Sequence, residues 1–263
     1  MSGNHKSYTK NDYASSCLNL SAKQTAERTN DPKKNTDAGK ENSKLFENKI
    51  LLLNTVFTVS SAGDKFIKIG LDIDNDFQPT LQFTKFGSKL PSVYLNSSEW
   101  SGLISIPDII EAGFVNLITD VNQEISSAIN IGFSLLYNKR CLKLSNLKTG
   151  GTIFLVRSTW KHVMKLAPAI SHVITNLVEY SDIASNVYKA LFEELENRFS
   201  TQTEITLWDL ENVMVETKFF NDTVNGTEKD KIKQQVACEL LSFGLYKILK
   251  DLNAKKPKPG NEK

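Results

Sequence analysis

The spacing of apolar positions changes several times along this chain, and each change marks an element. Residues 1–44 show no apolar period; they are rich in Asn, Lys, Ser, Thr and Asp. Such a stretch buries too little apolar surface to offset the entropy of ordering its backbone, which predicts a disordered basic tail. From Leu45 the pattern tightens. Ile50 to Val59 is an apolar, β-branched run, Ser60-Ser61-Ala62-Gly63-Asp64 has turn chemistry, and Lys65 to Ile73 alternates with Ile67, Ile69, Leu71 and Ile73 on one face. Two strands joined by a hairpin follow. Asp74-Asn75-Asp76 turns the chain into a third strand from Pro79 with Leu81 and Phe83 inward, and a fourth spans Ser92 to Leu95. A helix then opens at Asn96, with Glu99 completing a capping box and Trp100, Leu103 and Ile104 as its apolar stripe. Pro107 predicts a break, with a second helical piece through Ile110, Phe114 and Leu117.

The same order then returns. Ile129 to Leu136, Tyr137 to Leu147 and Thr152 to Val156 read as strands, Lys148 to Gly151 as a hairpin turn, and Ser158 as the cap of a helix carrying Trp160, Val163 and Leu166. Tyr94-Leu95-Asn96-Ser97-Ser98-Glu99-Trp100 aligns with Phe154-Leu155-Val156-Arg157-Ser158-Thr159-Trp160, and Ile67 to Leu71 parallels Ile129 to Phe133. A degenerate tandem duplication accounts for both matches. The expected fold class is therefore α+β: a β-β-β-β-α unit over 45–120, a second over 121–180, a mostly helical extension over 181–253 and a basic tail over 254–263. In the extension, Ser181 to Phe199 and Lys229 to Leu252 have helical periodicity, and 204–220 fits helix or strand equally.

Charge sharpens this division. The net charge is +2, but residues 121–180 carry seven basic and two acidic side chains, whereas residues 45–120 carry five and nine. A polyanion would be drawn to the second copy and the tails and repelled elsewhere. Three widely spaced cysteines, Cys17, Cys141 and Cys238, fit neither a disulfide framework nor a metal site. With no apolar run long enough to span a bilayer and no signal-like N-terminus, an intracellular, non-membrane protein is expected.

Catalytic chemistry has no foothold in the pattern: there is no Gly-rich phosphate loop, no paired-histidine zinc motif and no nucleophile elbow, so neither an enzyme nor a cofactor is expected. His162 and His172 lack companion ligands at metal spacing, and Asp72, Asp74 and Asp76 lack the glycine and glutamate of a calcium loop. The two tryptophans, in register with leucines and isoleucines, read as core anchors. Binding residues belong on outward strand faces. In the second copy Leu142 and Leu144 mark a buried face, which places Tyr137, Lys139, Cys141 and Lys143 opposite, with Lys148 in the next turn. An aromatic ring among lysines suits single-stranded nucleic acid, with cations for phosphates and a π-face for bases; an ordinary polar sheet face is the alternative.

Four strands followed by a helix entered as Leu-Asn-x-x-Glu-Trp-Ser-x-Leu resemble the single-stranded DNA-binding domain of the transcriptional coactivator positive cofactor 4 family, related in architecture to the Whirly proteins. Leu95, Asn96, Trp100, Ser101 and Leu103 carry the match, and the second copy keeps Leu155, Trp160 and the apolar spacing. The resemblance implies helices paired across a dimer, so that two copies in one chain form a pseudo-dimer; a homo-oligomer of the whole chain is a separate expectation. It also implies DNA contact through outward residues of the middle strands, which in the first copy are Lys68, Lys85 and Phe86. Gly87 stands where the family has a stacking tryptophan. The function so implied is single-stranded DNA or RNA binding in transcription or replication, alongside the proteins of those processes, in a nucleus or a virus-infected host nucleus, otherwise the cytoplasm. The other reading is a protein-interaction or structural module that kept the fold without the binding.

Overall fold

The structure, a computed structural model, describes residues 49–88, 90–115, 123–202, 204–214 and 226–255. The tail expected over 1–44 lies outside them, as does all of the expected C-terminal tail except Ala254 and Lys255. Two compact units are present, one over residues 46–187 and another whose described residues begin at Tyr188.

The first unit is α+β and contains two four-stranded antiparallel sheets, each in sequential strand order. Sheet A comprises β1 (Leu51–Thr58), β2 (Lys65–Asp72), β3 (Gln78–Lys85) and β4 (Val93–Asn96), followed by α1 (Ser97–Ile104) and α2 (Pro107–Val115). Sheet B comprises a two-residue β5 (Gln123–Glu124), β6 (Ile129–Leu136), β7 (Lys139–Asn146) and β8 (Thr152–Val156), followed by α3 (Arg157–Arg198). The strands follow the apolar alternation: Ile67, Ile69 and Leu71 on β2 register with Phe83, Leu81 and Pro79 on β3, and all but Pro79 are completely buried. Burying each such side chain contributes roughly 1.5–3 kcal/mol, which fixes the register, because a one-residue slip would turn the whole row outward.

Local chemistry sets the helix boundaries. The Asn96 side chain accepts from the Glu99 N–H, and Glu99 accepts from the Asn96 N–H, both at 2.9 Å, so the expected capping box forms. The chain breaks after α1 and Pro107 becomes the first residue of α2, where its missing N–H costs nothing. Pro168, by contrast, sits inside α3, which runs unbroken for 42 residues. Val163, Ala167, Ile170, Ile174 and Leu177 form a continuous buried stripe through the proline, and that burial outweighs the missing backbone bond. The boundary expected near residue 180 is therefore the middle of one helix.

Trp100 and Trp160 are both 1% exposed. Trp100 packs on Phe83 of sheet A, ring centroids 6.4 Å apart, and its indole N–H donates to Ser171 Oγ on α3 at 3.1 Å. Helix α2 lies on sheet B. Phe114 meets Phe133 edge-on at 5.2 Å, and a Cβ on Gly113 would come within 2.0 Å of the Phe133 ring. Arg140 of β7 donates to the Gly113 carbonyl. The sheets themselves approach along β4 and the β7–β8 turn: Thr152 N–H donates to Pro91 O at 3.3 Å, and Asn146 Nδ2 donates to Tyr94 O at 3.2 Å.

In the other unit, α4 (Leu207–Met214), α5 (Glu228–Phe243) and α6 (Leu245–Lys255) accompany the C-terminal end of α3. The segment that fitted helix or strand is helix over Leu207–Met214; residues 215–225 lie outside the described residues. Asn253 holds α6 to the segment before α4 by accepting from Ile205 N at 3.2 Å and donating to Ile205 O at 3.0 Å.

Where the sheets meet, a Cβ on Gly151 would stand 2.1 Å from the Ser92 carbonyl oxygen, a backbone atom that cannot swing aside. Gly151→Ala is therefore expected to lower stability to urea by about 1–3 kcal/mol, the usual cost of overpacking. An unchanged denaturation midpoint would show that the sheets do not approach this closely.

Candidate nucleic-acid interface

Each sheet presents an outer face, away from its helices, and the two faces differ. On sheet A the chain closes its own face. Gln82 is buried, and its amide donates to Ser92 Oγ at 3.0 Å and Tyr94 OH at 3.3 Å. Tyr94 OH also accepts from the Lys49 N–H at 3.2 Å, while the Lys49 ammonium pairs with the wholly buried Asp72 carboxylate and lies 5.3 Å from the Tyr94 ring centroid. Asp72 further accepts from Asp74 N at 3.1 Å, so the acidic turn is tied to the fold. Lys68 is half-buried on this face, opposite Val56 and Gln82. Lys85 ends β3 in register with Lys65 on the helix-side parity, and Asp64 lies 3.9 Å from both ammonium groups. The Asp64 carboxyl is held below its ordinary range first by the Ser60 hydroxyl, at 2.6 Å, and then by these lysines, so it stays charged and offsets them. Phe86 is 82% exposed just past the strand end.

Among the described residues the outer face of sheet B carries no such closing network. Antiparallel registration lays out three cross-strand rows: Glu124, Asn130, Ser145 and Thr152; then Gly132, Lys143 and Phe154; then Ser134, Cys141 and Val156. Lys139 continues this face at the far end of β7, about 13 Å along the strand from Lys143. Among the described residues no carboxylate pairs with Lys139, Lys143 or Lys148. Lys148 lies in the β7–β8 turn, which Asn146 shapes by accepting from the N–H groups of Lys148 and Thr149 at 3.0 Å each.

Two sequence expectations for this face need correction. Tyr137 is not on a strand: with Asn138 it forms the β6–β7 turn, both residues at positive φ (48° and 60°), and its side chain is 98% exposed at the hairpin tip. This is the two-residue turn whose handedness matches the strand twist. The aromatic ring beside Lys143 is instead Phe154, half-buried on β8, the counterpart of Tyr94 in the sequence alignment. Cys141, expected in the open, is 3% exposed. Burial pushes its thiol above the ordinary range, against the pull of the Lys65 and Lys139 charges. The basic stripe is thus two separate lysines with a covered thiol between them. The expected site falls into the hairpin end (Tyr137, Lys139), the centre (Lys143) and the turn (Lys148), with Lys68, Lys85 and Phe86 on sheet A.

Between Asn130, Gly132, Lys143, Ser145, Gly150 and Thr152 the outer face of sheet B sinks into a concavity of about 270 Å³. Its floor is polar: Thr152 Oγ1 donates to Ser145 Oγ at 3.3 Å. Among the described residues no three His, Cys, Asp or Glu side chains gather as a metal ion would require, and no helix is long and apolar enough to cross a membrane.

The covered thiol can be read chemically. Under iodoacetamide at mildly alkaline pH, with labelling mapped by mass spectrometry, Cys238, which is only half-buried, is expected to react at least about tenfold faster than Cys141. Equal rates would mean that the face between Lys139 and Lys143 is open. Comparison with protein-family models, with curated proteins and with solved structures finds no match to this chain.

Proposed function

We propose that this chain binds single-stranded nucleic acid on the outer face of sheet B, and that its two β-β-β-β-α units arose by tandem duplication and pair as a pseudo-dimer. The observation that carries the binding reading is Lys143 beside Phe154 on a sheet face with no closing network, in the one stretch of the folded chain with a strong basic excess. A cation and a ring side by side supply the two things a single strand offers partners for, phosphate charge and a base face. The resemblance to the positive cofactor 4 family points to the same chemistry. The pairing of units is supported by two sheets of equal strand order, by tryptophans buried at matching positions, and by the Trp100 to Ser171 hydrogen bond that joins the first unit's helix to the second's.

The division of labour is unequal. Sheet A's outer face is occupied by Lys49, Gln82 and Tyr94, and its Lys85 shares the Asp64 carboxylate, so phosphate binding there competes with groups already in place. A second reading has its own observation: Leu135 and Tyr137 stand 70% and 98% exposed on the β6–β7 hairpin, an apolar tip suited to a protein partner.

A salt-titrated anisotropy assay with a fluorescent single-stranded oligonucleotide separates the readings. Lys143→Glu is expected to weaken binding strongly and to flatten the salt dependence by about 0.7 in logarithmic slope for each phosphate that the variant no longer neutralises. Phe154→Ala is expected to cost about 1–3 kcal/mol with the slope retained. Lys85→Glu should do less than Lys143→Glu. Absence of binding by the wild-type chain at low salt would contradict the nucleic-acid reading and favour the interaction module.

A further inference from the structure

One residue lining the concavity on sheet B carries an unsatisfied group. Asn130 Oδ1 is shielded from solvent and, among the side-chain atoms of the described residues, is a buried acceptor that receives no hydrogen bond. A buried acceptor without a donor costs free energy until something supplies the N–H or O–H. No neighbour in the row does so. Ser145, directly across from Asn130, has its hydroxyl within hydrogen-bond reach of Thr152 and not of Asn130 Oδ1, and Glu124 on the other side has only acceptor oxygens when ionised.

The surroundings narrow what the missing donor belongs to. The space, about 270 Å³, lies just below the roughly 300–1,000 Å³ of pockets that enclose drug-sized ligands, and so suits one small ring system. Charge differs between its two sides: Lys143 lines it, while Glu124, outside the lining, is the cross-strand neighbour of Asn130. A phosphate is favoured at the Lys143 end and disfavoured at the Asn130 end. A polar, uncharged group rich in N–H is favoured where Asn130 and Glu124 stand together. The acceptor is also recessed, so its donor has to protrude from the ring that carries it. Exocyclic amino groups protrude; the ring N–H of thymine or uracil is flanked by two carbonyl oxygens, which would be driven toward Asn130 Oδ1 and Glu124.

On the reading that this face binds single strands, we infer that the concavity seats one nucleobase and that Asn130 selects a base bearing an exocyclic amino group over thymine or uracil. Lys143 holds the adjoining phosphate, Phe154, opposite Lys143, lies outside the seat, and Asn130 makes a contact that tells one base from another. Binding on sheet B is then not indifferent to sequence, as stacking and charge alone would leave it.

The test compares oligo(dC) and oligo(dA) with oligo(dT) of equal length at fixed salt, using the full chain. The wild type is expected to prefer the amino-bearing strands by about tenfold, the scale of one well-made base-edge contact. Asn130→Ala is expected to bring that ratio to within about twofold, while Asn130→Asp, which keeps the acceptor and adds a negative charge, weakens binding to all three strands yet retains the ratio. A merely structural asparagine would not divide the two variants in this way, and thermal melts establish that both are folded. Binding with no base preference in the wild type, or a preference that survives Asn130→Ala, overturns this inference and leaves the single-strand reading standing. No binding to any strand overturns that reading itself, and the base seat with it.

Discussion

A buried indole has one polar atom, and where that atom finds an acceptor constrains how the first unit is put together. Trp100 belongs to the helix that follows sheet A, packs on Phe83 of that sheet, and gives its N–H to Ser171 on the helix that follows sheet B. An acceptor within its own helix would have left this indole without a link to the second sheet's helix. Instead, one hydrogen bond in an otherwise apolar core ties the burial of sheet A to the placement of α3. The other cross-links are consistent with it: Phe133 filling the space left by Gly113, Asn146 reaching the Tyr94 carbonyl, and the Gly151 backbone lying against Ser92. Each of these places a small residue or an amide where two backbones meet. Large apolar side chains do the burying, while the small and polar ones fix the angle.

That arrangement decides which surface is left for chemistry. With helices on the inner faces, only the outer faces remain, and the chain uses one of them for itself: Lys49, Asp72, Gln82 and Tyr94 close sheet A. Sheet B keeps an open row. Of the basic residues that the sequence places in 121–180, Lys143 is the one at the centre of this face, with Phe154 across the strand and the unsatisfied Asn130 Oδ1 in the neighbouring row. The charge and the ring stand side by side there, next to a row that contains an unsatisfied acceptor, and the proposed function rests on that juxtaposition.

The strands were legible because alternation is a strong signal where one face is buried. Ile129–Leu136 and Thr152–Val156 have the observed limits, and the capping box at Asn96 forms as read. The site was legible only in part. Tyr137 looked like a strand residue because tyrosine favours strands; the competing signal, Asn138 at the second position of a two-residue turn between apolar runs, is what prevails. Phe154 was recoverable from parity, since Ile153 and Leu155 fix the inner face and leave it outward. The cover over Cys141 was not recoverable, because strand parity places it on the outer face and the burial found there depends on tertiary packing that no local pattern encodes. The single long α3 reads in the sequence as two helical segments meeting near residue 180, because each half has an apolar stripe of its own and nothing local shows that they are continuous.

Photocrosslinking addresses the central claim most directly. A single-stranded oligonucleotide carrying a halogenated pyrimidine, irradiated with the full chain and mapped by mass spectrometry, should attach to the segment containing Phe154, with neighbouring yield on the strand that carries Lys143. Crosslinks confined to residues 1–48 or 256–263, or to the strands of sheet A, would contradict the assignment of the binding face to sheet B.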